Sequence, residues 1–268
     1  MGRTATVRRT ILACALTGLL LGVIGAPTAQ ASRGRAPRVP PAATVGPLYF
    51  PSIFGLLPTL SLPHGCSASV VHSPAHDLVI TAAHCVQGSG LGIEFVPGYH
   101  EGQMPYGIWG VARAYVDPAW LSSRDPQHDY AILQVARQGS RGIEDVVGAN
   151  LLGSAPAFGT TVSVQGYATG SDDDLISCVT RTYDTAGYPS IDCPGFVNGT
   201  SGGPWVVRSQ AKPTLVGLIG GLRQGGCIAA TSYSPVFGAD TALLLRRAAA
   251  GGPGDVVPAA EATSCPAA

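Results

Sequence analysis

The sequence GTSGGP at residues 199–204 places one hydroxyl side chain among glycines, directly before an apolar run, WVV, at residues 205–207. Glycines allow the backbone to turn sharply and to direct its N–H groups towards a ligand. A serine in such a turn can attack a carbonyl group only with a base beside it, because a free hydroxyl is a weak nucleophile. If Ser201 is a nucleophile, its base must come from elsewhere in the chain.

The positions of the histidines limit the hydrolase architectures to which this motif can belong. A nucleophile elbow requires an acid and then a histidine after the serine, but all six histidines precede Ser201. An order of acid, histidine and serine would have to use Asp77, the only acid before His84. The order of histidine, acid and serine remains.

Two further stretches supply the histidine and the acid. TAAHC at residues 81–85 follows the apolar run LVI, which predicts that His84 lies at the end of a strand. HDYAIL at residues 128–133 leads from Asp129 directly into another predicted strand. These three motifs, in this order, resemble those of the trypsin/chymotrypsin-like serine endopeptidases. The resemblance extends from about residue 66 to about residue 247.

The resemblance implies an all-β fold of two antiparallel six-stranded β-barrels with a short C-terminal helix. It also implies a triad in which His84 takes the proton of Ser201 while Asp129 orients the imidazole. The backbone N–H groups of Gly199 and Ser201 would form the oxyanion hole. The expected activity is hydrolysis of peptide bonds in proteins or peptides through an acyl-enzyme, with no metal and no other cofactor.

Two other functions are compatible with the same motifs. The chain could be a catalytically silent homologue that serves as a binding module, or an esterase on the same scaffold. All three catalytic positions are filled, which argues against a silent homologue.

Two positions depart from the pattern of the family. Thr200 stands where trypsin-like animal enzymes carry an aspartate that pairs with a freed amino terminus. A threonine has no charge for such a pair, so we expect its hydroxyl to hold the loop by a neutral hydrogen bond. Ile219 falls where the family usually has a serine that contacts the catalytic acid, so Asp129 would have one partner fewer.

The resemblance also indicates where the substrate pocket lies. We expect it to be lined by Gly195, Phe196, Ile219, Gly220 and Gly221. The residue six positions before Ser201 is Gly195 rather than an acid, so a preference for Arg or Lys is not supported. Phe196 could form the floor of an apolar pocket.

The N-terminal segment has the pattern of an export signal. Arg3, Arg8 and Arg9 precede an apolar stretch at residues 11–26, and AQA at residues 29–31 forms a cleavage site. The apolar stretch is short for a membrane span, so we expect a secreted, extracellular monomer without a membrane contact. A formal net charge of zero and only 12% charged residues give no indication of a nucleic-acid partner.

The composition, with 36 glycines and 22 prolines, favours a turn-rich β protein. Val162 and Val164 alternate with polar residues, as in a half-buried strand. We divide the chain into a signal peptide (1–31), a flexible leader (32–45), a first β-barrel (46–140), a second β-barrel with the C-terminal helix (141–250) and a loose tail (251–268).

Without the signal peptide, six of the seven cysteines remain, which is typical of three disulfides in an exported chain. The resemblance implies a bridge between Cys66 and Cys85. One arrangement of the others pairs Cys178 with Cys193 and Cys227 with Cys265, whereas the family alternative joins Cys193 to Cys227. The sequence leaves this choice open.

His72 and His76 are four residues apart, a spacing that would suit a metal on a helix. Pro74 lies between them and disfavours a helix. We therefore expect a solvated turn here and no metal site.

Overall fold

The computed structural model of the chain describes residues 1–2, 42–51, 63–169, 174–208 and 212–258. By its internal contacts the chain divides into Met1–Ser32 and Arg33–Ala268, and the second unit holds every described strand and helix. Nearly all of the predicted signal peptide and leader lies outside the described residues. Within the described ranges, no helix is both long and apolar enough to cross a membrane.

Six strands form the first half of the fold: β1 (Val45–Tyr49), β2 (Cys66–Val70), β3 (Leu78–Thr81), β4 (Glu94–Phe95), β5 (Trp109–Val116) and β6 (Ala131–Val135). They close into an antiparallel barrel in the order β1-β2-β3-β6-β5-β4. Closure follows because β1 pairs with β2 along one edge and with β4 along the other. The first predicted barrel is therefore present.

Strand β1 lies in an apolar stretch interrupted by prolines. Pro47 lacks an N–H group, but its carbonyl still accepts a hydrogen bond from the Val96 N–H at 3.2 Å. Gly46 lies so close to the neighbouring chain that a Cβ would be 2.3 Å from the Val96 carbonyl oxygen. The barrel thus tolerates a proline in this strand and requires a glycine beside it.

There are two short helices before the second half: α1 (Pro118–Ser123) lies between β5 and β6, and α2 (Ile143–Val147) lies in the segment that connects the halves. The second half contains eight strands: β7 (Leu151–Leu152), β8 (Thr161–Tyr167), β9 (Leu175–Arg181), β10 (Tyr183–Thr185), β11 (Tyr188–Asp192), β12 (Pro204–Val207), β13 (Thr214–Leu218) and β14 (Thr231–Tyr233). They form a five-stranded sheet, β7-β13-β12-β8-β9, and a three-stranded sheet, β10-β11-β14. All pairs are antiparallel except β7–β13. These two sheets take the place of the second predicted barrel.

The last helix, α3 (Ala239–Ala250), follows the second half in sequence but packs against the first barrel. Its buried residues Thr241, Leu244 and Ala248 share one face, as the helical period requires. Gly251 ends the helix in the left-handed region, with φ 74°. The C-terminal helix is therefore short, as the sequence predicts.

The described part of the tail, residues 251–258, is bonded to the first barrel, which corrects the expectation of a loose tail. Val257 is buried, and its backbone exchanges two hydrogen bonds of 2.7 Å with Gly88. The Asp255 carboxylate accepts from the Val116 N–H at 2.8 Å, next to the Arg247 guanidinium.

Two disulfides are described. Cys66–Cys85 joins the start of β2 to the turn after β3, and Cys178–Cys193 joins β9 to the residue after β11. The second bridge rules out the alternative pairing of Cys193 with Cys227. Cys227 is also disulfide-bonded, and its predicted partner, Cys265, lies outside the described residues.

Candidate active site

His84 lies in a single 3₁₀ turn, Ala83–Cys85, that follows β3. Its Nδ1 is 2.7 Å from Asp129 Oδ2, and its backbone N–H donates to Asp129 Oδ1 at 2.9 Å. A carboxylate can only accept, so the proton of a neutral ring lies on Nδ1 and Nε2 is left as an acceptor. The arrangement gives His84 the tautomer of a general base.

Asp129 precedes β6 and is fully buried. Besides its two bonds from His84, it accepts a third from the Gly221 N–H at 2.9 Å. Three donors offset the loss of hydration of a buried carboxylate. Ile219 was expected to leave Asp129 with one partner fewer, and the structure instead supplies a backbone N–H two residues further along.

Ser201 occupies a turn that approaches the first barrel closely. Its carbonyl accepts from the Ser67 N–H at 2.7 Å. The next residue, Gly202, has φ 82°, and a Cβ there would be 2.2 Å from both the Ser67 carbonyl oxygen and Thr81 Oγ1. Only glycine fits at this position, so the loop of the second half can rest directly on β2.

Gly199 is confined in a similar way. Its φ is 92°, and a Cβ would lie 2.4 Å from Thr169 Oγ1 and 2.8 Å from Nε2 of the buried His64. The carbonyl of Gly199 accepts from Ser67 Oγ at 2.9 Å. Among the described residues, neither the Gly199 N–H nor the Ser201 N–H has an acceptor. The turn that carries the serine therefore has two backbone N–H groups without an acceptor among the described residues.

Ser67 is a site residue that the sequence did not reveal. Its hydroxyl donates to the Gly199 carbonyl and accepts from the Tyr167 N–H at 2.8 Å. Its own carbonyl accepts from Thr81 Oγ1 at 2.8 Å. Ser67 alternates with apolar residues in β2, which suggests exposure, yet it is fully buried because the second half covers that face.

One cavity of about 570 Å³ brings the two halves of the site together. His84 and Ser201 both line it, with Gly199 and Cys66 nearby in its wall. No direct hydrogen bond joins the Ser201 hydroxyl to the His84 ring among the described bonds. This contact is often loose in such sites until substrate is bound.

A second cavity of about 470 Å³ adjoins Ser201. Of the residues expected in the substrate pocket, Phe196 and Ile219 line this cavity, whereas Gly195, Gly220 and Gly221 are not among its lining residues. Gly220 and Gly221 instead adjoin Asp129. A Cβ at Gly220 would be 3.2 Å from Asp129 Oδ2, and the Gly221 N–H donates to the same oxygen.

Thr200 is buried beneath the serine turn, and its hydroxyl donates to the Val197 carbonyl at 2.7 Å. This is a neutral hydrogen bond within the loop, of the kind expected from the sequence. It stabilises the loop without an ion pair.

Burial also changes two phenols near the site. It raises the pKa of Tyr130, the residue after Asp129, well above its ordinary value. It raises the pKa of Tyr167 in the same way. Both side chains therefore stay neutral and structural. Cys66, His84 and Cys85 lie close enough for a metal, but the two sulfurs are joined in a disulfide.

The sequence model of the trypsin-like peptidase domain matches residues 66–218, more than half of the chain. The chain belongs to the trypsin-like peptidase family. No curated protein matches this peptidase. Among solved structures it is similar to the protease Anisep from Arthrobacter nicotinovorans, at 25% identity and a TM-score of 0.68. That match covers 80% of this chain and 99% of the other.

Two further structures resemble this trypsin-like peptidase in fold. The thermostable serine protease AL20 from an extremophilic microorganism is 22% identical, with a TM-score of 0.67, covering 79% of this chain and 99% of AL20. A Glu endopeptidase solved in complex with MPD is 16% identical, with a TM-score of 0.59, covering 81% of this chain and 98% of that one. The family match makes the chain a serine-type peptidase, and the similar structures show that its fold is chymotrypsin-like.

Proposed function

We propose that this peptidase is a secreted serine endopeptidase in which His84, Asp129 and Ser201 form the catalytic triad. The observation that carries the proposal is the buried Asp129 carboxylate, which binds His84 Nδ1 while the ring and Ser201 line one cavity. The ring so held keeps Nε2 as an acceptor, which is the atom that the serine proton requires.

In the first half of the reaction, Ser201 Oγ bonds to the substrate carbonyl carbon as its proton moves to His84 Nε2. The C–N bond then breaks, the leaving amine takes the proton from His84, and an acyl ester remains on Ser201. In the second half, a water molecule attacks this ester by the same route and restores the hydroxyl. Asp129 remains a carboxylate and stabilises the imidazolium formed in each half.

We assign the oxyanion hole to the N–H groups of Gly199 and Ser201. Neither has an acceptor among the described residues, and the bond from Ser67 to the Gly199 carbonyl fixes the orientation of the loop. Donors fixed in advance need no reorganisation when charge develops on the carbonyl oxygen. Loss of one such donor typically lowers kcat about 10²- to 10³-fold.

The cavity beside Ser201 supports a preference for substrates with an uncharged side chain before the scissile bond. Phe196, Ile219 and Ile228 contribute apolar walls, and no charged side chain is among its described lining residues. Asp192 is the acid nearest to Ser201 in sequence, but it is exposed and accepts from the Tyr183 hydroxyl at 2.7 Å. An unpaired charge placed in this cavity would lose hydration without a partner.

Secretion and a monomeric state are part of the same proposal. The disulfides fit a protein of an oxidising, extracellular compartment, and the N-terminal sequence has the pattern of an export signal. His84, Asp129 and Ser201 all belong to one chain, so the site needs no residue from a second copy.

The test is cleavage of a mixed peptide library by the secreted protein and by two variants, Ser201→Ala and Ser122→Ala. Ser122 is an exposed serine on α1 and is the matched control. We expect internal cleavage that Ser201→Ala lowers by about 10⁵-fold or more and Ser122→Ala leaves unchanged. Turnover of esters without amides would indicate an esterase. Strong cleavage after Arg would overturn the pocket assignment, and no turnover would indicate a binding module.

A further inference from the structure

A second cluster of chemically active side chains lies on the surface of the first barrel, outside the candidate active site. His72 and His76 belong to the turn between β2 and β3, while Glu144 and Asp145 lie in the first turn of α2. About 70 residues separate the two turns, since His72 and Glu144 are 72 positions apart. The fold alone brings these four side chains together.

The contacts within the cluster are close. His72 Nδ1 is 2.6 Å from Glu144 Oε1, and His76 Nδ1 is 2.5 Å from Asp145 Oδ1. One ligand atom each from His72, His76 and Glu144 lies within 4.8 Å of the other two. Ligand atoms around a tetrahedral Zn²⁺ lie about 2.0–2.2 Å from the ion, so small side-chain rotations would bring these three into its coordination sphere.

The backbone already holds the two turns against each other. The Glu144 N–H donates to the His76 carbonyl at 3.0 Å, and the Ser73 N–H donates to Glu144 Oε2 at 3.1 Å. A Cβ at Gly142 would be 2.3 Å from the His76 carbonyl oxygen, so the two chains are in close contact. A cation would therefore need to order side chains only, which lowers the entropic cost of binding.

The donor set selects the class of cation. Imidazole nitrogens with carboxylate oxygens suit Zn²⁺ and related first-row dications, whereas Ca²⁺ and Mg²⁺ take oxygen ligands. The two carboxylates carry two negative charges, which neutralise a dication. The positive charge of Arg137, with a guanidinium nitrogen 4.0 Å from Asp145 Oδ2, weakens this attraction. The imidazoles are about half exposed, so a cation can enter from solvent.

We propose that His72, His76 and Glu144, with Asp145 beside them, form a binding site for Zn²⁺ or a similar first-row dication. The bound ion joins the β2–β3 turn to the segment that connects the two halves. Its role is structural, because His84 and Ser201 lie in a different cavity. The sequence favoured a solvated turn, because Pro74 between the two histidines disfavours a helix.

The proposal is tested with untagged Ser201→Ala protein, which cannot digest itself, titrated with ZnCl₂ in a calorimeter. We expect one equivalent to bind and to raise Tm by about 5 °C at a hundredfold excess over Kd. His76→Ala and Glu144→Gln should each weaken binding about tenfold or more. CaCl₂ and MgCl₂ should neither bind there nor compete.

The matched control is His100→Ala, since His100 is similarly exposed beside an acid, Glu101, but lacks a second histidine. It should leave zinc affinity unchanged. If Glu144→Gln does not fold, as judged by circular dichroism, His72→Ala replaces it as the second ligand variant. Absence of a one-to-one zinc complex, or equal affinity in the ligand variants and in His100→Ala, would overturn the proposal.

Discussion

The two halves of the molecule support the candidate active site in different ways. The first barrel positions His84 after β3 and Asp129 before β6, and the two side chains are hydrogen-bonded to each other. The second half positions Ser201 on a glycine turn, where the absence of a side chain lets Gly202 fit against β2 and Gly199 fit against Thr169 and His64. The first half thus contributes the imidazole and the carboxylate, and the second contributes a closely packed backbone, including the Gly221 N–H that donates to Asp129.

The largest effect is expected where the first half contributes charge. Asp129→Asn should lower kcat about 10⁴-fold with little change in KM, because the amide favours the wrong tautomer of His84. The measurement is steady-state kinetics on a peptide found in the library screen. Asp125→Asn is the control, since Asp125 caps the preceding turn through the Gln127 N–H, a role that asparagine retains. An equal loss in both variants would contradict this account.

Gly199→Ala tests whether close packing in the second half matters as much. The added Cβ would meet Thr169 Oγ1 at 2.4 Å and shift a proposed oxyanion donor, so we expect kcat to fall about 10²- to 10³-fold. Gly139→Ala is the control, because Gly139 also has a positive φ, 63°, but open space around it. If Gly139→Ala lowered kcat as far, backbone strain rather than packing would be the cause.

Ser67→Ala addresses the contact between the halves and should have the smallest effect. The variant removes the bond to the Gly199 carbonyl and the acceptor of the Tyr167 N–H. The first loss should lower kcat about tenfold, a free-energy change of about one neutral hydrogen bond, with KM nearly unchanged, and the second should lower stability. Ser69→Ala removes another buried serine of β2, one that bonds to Asn150, and should lower stability without this kinetic change. Parallel losses in kcat would make Ser67 structural only.

The parts of the site that follow from local sequence could be predicted. An apolar run followed by TAAHC predicts a strand that ends near His84, and β3 ends at Thr81. Alternation at Val162 and Val164 predicts a strand, and both side chains are buried in β8. These features depend on residues that are neighbours in the chain, so a single sequence contains them.

The parts that depend on contacts between distant segments could not be predicted. The burial of Ser67, the bond from Gly221 to Asp129 and the position of Glu144 beside His72 each join segments more than 70 residues apart. Strand β1 was not among the predicted strands, because prolines interrupt its apolar stretch, whereas in the barrel the Pro47 carbonyl accepts from the Val96 N–H. These features depend on tertiary contacts, so they cannot be predicted from local sequence patterns.

The most direct test of the triad is reaction of the secreted protein with a fluorophosphonate, followed by mass spectrometry of the intact chain and its peptides. The account predicts one adduct per chain, located on Ser201, with a rate that falls at least about 10³-fold in His84→Ala. An adduct on another residue, or a rate that does not depend on His84, would contradict it.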